Sequence, residues 1–204
     1  MPSEIIAAII AAIAIIVAAF ITKNKSWNSN KQFKISNGIT IKKSANFVGE
    51  INELFYKAQQ EIIIIGGAML RMTASDSILN NISKNKNVKV RLLALNIEKE
   101  EILIAYNKLT NKHEGGTVNL NHLKRFKSNS NIEIRTYEIL PTAYFIAIDI
   151  NTPNGFIKAA HIFSGGSDID YPNIEISRSN EEWYEIYRHQ IENLWGEGTL
   201  WEPD

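Results

Sequence analysis

Few residues in this chain have the type and setting for chemistry. No cysteine occurs, so disulfides and thiolate metal sites are excluded. The four histidines, His113, His122, His161 and His189, are scattered and fit no metal-ligand spacing, so no metal or cofactor is expected. His161 has candidate neighbours. If segments 143–150 and 156–163 pair as a hairpin across Asn151-Thr-Pro-Asn154 and Gly155, Tyr144 lies roughly opposite His161, with Thr142 nearby. That would make a small polar cluster on one face of a sheet, able to hold a ligand. A core histidine with a satisfied hydrogen bond is the plainer alternative. The segment His122-Leu-Lys-Arg-Phe-Lys127 offers Lys124, Arg125 and Lys127 to phosphates or anionic lipid, with a solvated helix face as its plainer reading.

These residues need a scaffold, and the apolar pattern supplies one. Phe47, Ile51, Leu54, Phe55 and Ala58 recur at helical spacing and predict a helix over about 45–60. Glu61-Ile-Ile-Ile-Ile-Gly-Gly67 is a continuous β-branched run ended by glycines, as in a strand buried on both faces of a mainly parallel sheet. A helix from Met69 to Ile82, a strand from Val88 to Leu95 and a helix from about Glu98 to Leu109 complete a βαβ unit. After a loop with Gly115-Gly116 comes the strand Ile132–Tyr137, then the hairpin. The last helix opens on Ser179-Asn-Glu-Glu182, a capping-box pattern, and places Trp183, Tyr187, Ile191 and Trp195 on one apolar face. Trp183, Tyr184 and Trp195 read as core more simply than as a stacking platform. The expected class is α/β, a mixed sheet flanked by helices, over 45–204.

A different solvent governs the N-terminus. Ile5 to Ile21 is an uncharged run that reaches ~25 Å as a helix, enough for a thin hydrocarbon core. Only Met1-Pro-Ser-Glu4 precedes it, without the basic stretch of a cleaved signal, so 1–22 is expected to be an uncleaved anchor. Lys23, Lys25, Lys31 and Lys34 follow, and such flanks stay in the cytoplasm, which predicts a single-pass protein of the cell (inner) membrane with a cytoplasmic C-terminal domain. Residues 23–44, polar from Asn24 to Lys34, read as a linker. Ala7, Ala11, Ala14 and Ala18 form a small-residue stripe that would allow two anchors to approach closely. Charge is balanced overall but uneven: 23–127 carries 18 basic and 8 acidic residues, whereas 165–204 carries 2 and 10.

The order of elements, βαβα followed by a hairpin and a C-terminal helix, resembles one half of the phospholipase D superfamily fold. Members carry His-x-Lys-x-x-x-x-Asp on the first hairpin strand. Thr142-Ala-Tyr-Phe-Ile-Ala-Ile-Asp149 has that spacing, with Thr142 at the histidine, Tyr144 at the lysine and Asp149 kept. Ser164-Gly-Gly-Ser167 looks like the Gly-Ser loop of the family, and makes Ser164 and Ser167 candidate ligand-binding residues beside Thr142, Tyr144, Asp149 and His161. The resemblance covers roughly 46–195 and is closest to degenerate members in bacterial sensor and defence proteins. It implies that a histidine nucleophile and a phosphate-neutralising lysine are both missing. A threonine needs an adjacent base to become nucleophilic, and a tyrosine brings no charge.

The expectation is therefore a membrane-anchored, non-catalytic phospholipase D-like domain that binds a phosphate-bearing ligand or a protein partner in bacterial sensing or defence. The family packs two halves about a twofold axis, and this chain has room for one, which implies a homodimer. The alternatives are a phosphodiesterase, nuclease or lipid hydrolase with a rearranged site built on His161 and Tyr144, and a plain interaction module. Nucleic acid as a partner gains no support from the sequence.

Overall fold

In a computed structural model the chain is described at residues 32–43, 47–67, 69, 82, 87–110, 120–162 and 172–202. The expected anchor, Ser164 and Ser167, and the interior of the expected helix from Met69 to Ile82 lie outside these residues. Among the described residues no helix is long and apolar enough to cross a membrane.

Among the described residues nine strands form one mixed sheet: β1 (Gln32–Ser36), β2 (Ile39–Lys43), β3 (Glu61–Gly66), β4 (Lys89–Leu95), β5 (Ile132–Tyr137), β6 (Ala143–Ile148), β7 (Phe156–His161), β8 (Pro172–Ser177) and β9 (Thr199–Leu200). Their order across the sheet is β1-β2-β8-β7-β6-β3-β4-β5-β9. β3, β4 and β5 run parallel, and every other neighbouring pair is antiparallel. The helices are α1 (Phe47–Lys57), α2 (Glu100–Thr110) and α3 (Glu181–Glu197), with a 3-10 helix at Asn121–Phe126.

The core follows from the isoleucine run. Ile62, Ile63, Ile64 and Ile65 of β3 are all buried, two per face, because successive strand residues point to opposite sides. Each is worth about 2 kcal/mol relative to an exposed side chain. On one face the register lines up Ile63, Arg91, Ala147 and, beyond them, Phe145 and His161. That face meets α3, since Arg91 bonds Glu192 and the Phe145 and His161 rings both lie against Tyr187. Tyr144 points the other way and touches Tyr106 of α2. Helices α2 and α3 thus cover opposite faces.

Three readings of the sequence are corrected here. Residues 32–36 and 39–43, expected in the linker, are the strands β1 and β2, a hairpin that joins the sheet through β2 and β8. Its polar residues hid an alternation in which Ile39 and Ile41 reach the core. β8 and the two-residue β9 were not anticipated. Pro172 stands at the first position of β8, where a proline costs no interior ladder bond. The last helix is capped by Asn180 and not Ser179: the Asn180 carboxamide oxygen accepts from the Trp183 amide at 3.3 Å, while the Ser179 hydroxyl lies 2.8 Å from that of Ser177.

Candidate functional site

The strands converge chemically at the C-terminal ends of β3, β4 and β5. Here β3 has a parallel neighbour on one side and antiparallel β6 on the other, so that β6 begins where β3 ends. Gly66 and Gly67 end β3 and leave room for rings. A side chain at Gly67 would run into the Tyr106 hydroxyl, and one at Gly66 would lie 3.6 Å from the Tyr144 ring. The Tyr106 and Tyr144 hydroxyls are 3.0 Å apart. Tyr137, at the end of β5, donates to the Gly66 carbonyl at 3.4 Å, and burial pushes its phenol well above the ordinary value. Thr142 is exposed just ahead of β6, on the same side as Tyr144, and its carbonyl accepts from the Ile162 amide at 3.0 Å. The result is a cluster of hydroxyls.

His161 is not part of it. Its partner across the hairpin is Ala143, and Tyr144 pairs with Ala160. The register differs by one residue from the expected one, which moves His161 to the opposite face of the sheet. The cause is the length of the connection. β6 ends at Ile148 and β7 begins at Phe156, so the link includes Asp149 and Ile150 as well as the turn residues. On its own face His161 is buried, with Nε2 3.2 Å from the Tyr187 hydroxyl, and burial lowers its pKa so that it is neutral at pH 7. The expected cluster of Thr142, Tyr144 and His161 does not form; the histidine is a core residue.

Asp149 sits at the far end of β6, roughly 20 Å from Thr142 at ~3.3 Å per residue. Its φ of 49° is left-handed, and the carboxylate accepts three backbone N–H groups: Gln59 at 2.9 Å, Gln60 at 2.8 Å and Glu61 at 2.8 Å. Its carboxylate holds the turn between α1 and β3, while its carbonyl accepts from the Thr152 amide at 2.8 Å in the hairpin connection.

Lys124, Arg125 and Lys127 are exposed on and just after the 3-10 helix, with Leu123 and Phe126 buried beneath and Arg125 stacked 4.7 Å from the Phe126 ring centre. This patch precedes β5 and so lies at the opposite end of the strands from Tyr144. Tyr106 and Tyr137 were missed by the sequence reading, since nothing in the spacing of an amphipathic helix or of a strand end marks a buried phenol as a site. The Gly66-Gly67 pair was the available signal, as a place of close approach. Among the described residues no group of three His, Cys, Asp or Glu side chains is placed to hold a metal ion.

No protein-family model matches the sequence, and no curated protein matches it. Solved structures do. TrmBL2, an archaeal chromatin protein with a novel mode of DNA binding, is 10% identical with a TM-score of 0.51, over 97% of this chain and 64% of its own length. This chain therefore spans about two thirds of that protein. Nuc from Salmonella typhimurium, a phospholipase D family member, is 14% identical with a TM-score of 0.50, over 81% of this chain and 98% of Nuc. NucT from Helicobacter pylori is 10% identical over 75% and 89%, with a TM-score of 0.45. At such identities the likeness is one of fold: a mixed α/β sheet flanked by helices, phospholipase D-like in its architecture.

Proposed function

We propose that this chain is a non-catalytic phospholipase D-like domain, tethered to the bilayer by residues 5–21, which binds a phosphate-bearing ligand and serves bacterial sensing or defence. The observation that carries this reading is the fate of the motif positions. Tyr144, at the lysine position of the resembling family, has its hydroxyl 3.0 Å from that of Tyr106, and His161 lies across the sheet from both. A phosphohistidine mechanism needs an accessible imidazole beside phosphate-neutralising charge. Thr142, Tyr144 and Tyr106 can instead donate hydrogen bonds to phosphoryl oxygens at the C-terminal end of β3. The rearranged-site enzyme is disfavoured, because His161 and Tyr144 point to opposite faces.

Two copies complete the proposed assembly, each supplying one sheet and one anchor. The test of binding is a thermal-shift panel on the full chain in a neutral detergent, against nucleotides and phospholipid head groups. At 100 times its dissociation constant a ligand should raise stability by about 2.7 kcal/mol. The shift given by a phospholipid head group should vanish in Thr142→Ala/Tyr144→Phe. A flat response across the panel would favour the plain protein-interaction module.

A further inference from the structure

A cavity lies away from the tyrosine cluster, where β4 and β5 begin. β9 accompanies β5 only from Arg135 and Thr136, with one further bond from the Trp201 amide to the Ile134 carbonyl at 3.0 Å. The start of β5 is left facing a cavity of about 560 Å³, within the range of small-molecule sites. Its apolar wall includes Leu200, which is 57% exposed. Its polar lining includes Lys89, Lys127 and the Ser130 hydroxyl.

The charges around this cavity are unevenly satisfied. Glu133 is engaged by Arg135, whose Nε and Nη2 both lie 2.8 Å from Oε1, so that Lys89 Nζ is left 3.9 Å from the other oxygen. Lys127 makes no ion pair among the described residues. With Glu202 also on the lining, two cations, Lys89 and Lys127, face two carboxylates, and because Arg135, off the lining, already pairs Glu133, one charge of a bound anion would balance the set. Cations and a hydroxyl donor at one end with an exposed apolar side chain at the other suit a ligand of matching polarity.

We propose that this cavity is a binding site for a phosphomonoester of mononucleotide size, its phosphate at the Lys89 and Lys127 end and its body against Leu200. The site is separate from the one at Tyr144 and does not depend on it. Calorimetric titration of the full chain in a neutral detergent tests it, with AMP, adenosine and inorganic phosphate as probes. AMP should bind with a dissociation constant below about 1 mM, and adenosine and inorganic phosphate at least tenfold more weakly. Lys127→Ala should weaken AMP about tenfold, or about 1.4 kcal/mol, and Leu200→Ser should weaken AMP while leaving inorganic phosphate unchanged. Thr142→Ala/Tyr144→Phe should leave AMP binding as it was, so that failure of the tyrosine site and failure of this one are told apart. Absence of AMP binding at 10 mM, inorganic phosphate binding as tightly as AMP, or an unaltered affinity in Lys127→Ala would each overturn the proposal.

Discussion

Asp149 is the motif residue that the chain retains, and its carboxylate is occupied by three backbone amides at the turn before β3. Hydrogen bonds to a charged acceptor are worth roughly 1.5–3 kcal/mol each and do not add fully, so Asp149→Ala should cost about 3 kcal/mol or more in denaturant unfolding. Asp149→Asn tolerates the left-handed φ and keeps one acceptor oxygen, and should cost less. Ligand affinity at the tyrosine cluster should be unchanged in either variant that still folds. His161 makes a second residue-scale prediction. Its folded pKa lies below the ordinary ~6.5, so as pH falls below that value the unfolded chain takes up a proton that the native chain refuses. Stability is full above about pH 6.5 and is lost as pH falls toward the depressed native value. Melting temperatures at pH 7.5 and 5.5 should differ more for the natural chain than for His161→Gln. Glu192, whose carboxyl is held low by the Arg91 hydrogen bond, loses its contribution only in the more acidic carboxylate range, so the two windows separate.

Between elements, the main polar tie is Arg91. Its guanidinium, on β4, donates to both Glu192 oxygens of α3 at 2.7 and 2.8 Å and to Glu61 of β3 at 3.0 Å, with the Trp195 ring centre 5.2 Å away. Arg91→Ala would strand two carboxylates and should cost about 3 kcal/mol, whereas Glu192→Gln leaves Glu61 to pair the cation and should cost about 1 kcal/mol in the same assay. The hairpin connection is as tightly fitted. The Tyr184 hydroxyl donates to the Ile150 carbonyl at 2.9 Å and occupies the space a side chain at Gly155 would need, so Gly155→Ala should displace it. The elements that could be read from sequence were those whose burial sets their pattern: β3, β4, β5, the hairpin strands and α3. The edges could not, because β1 and β9 expose most of their described side chains, and β2 and β9 gain their place by backbone pairing with partners distant in sequence. The site was half legible for a related reason. Tyr144 could be named as a motif position, but its partner Tyr106 comes from a helix 38 residues away, and the hairpin register turned on whether Asp149 and Ile150 belong to the strand or the turn.

At the scale of the whole molecule, the sheet separates the chain's candidate chemistry into three places: hydroxyls at the strand ends on the α2 face, a neutral histidine under α3, and a cavity lined by Lys89 and Lys127 at the opposite strand ends. The proposed dimer adds an arrangement between copies. Crosslinking of the full chain in membranes should give a dimer, and Ala11→Leu/Ala14→Leu should weaken it while insertion persists, because the small-residue stripe is filled without loss of hydrophobicity. A monomer at every concentration would remove the dimer. The central claim, that this phospholipase D-like fold binds without turning over, is tested most directly by metal-independent hydrolysis of bis(p-nitrophenyl) phosphate by the purified full chain. The account predicts no rate above the buffer blank, and the same result for His161→Ala. Turnover that His161→Ala abolishes while the fold is preserved would contradict it, and would mean that the imidazole reaches the substrate from the face where the structure buries it.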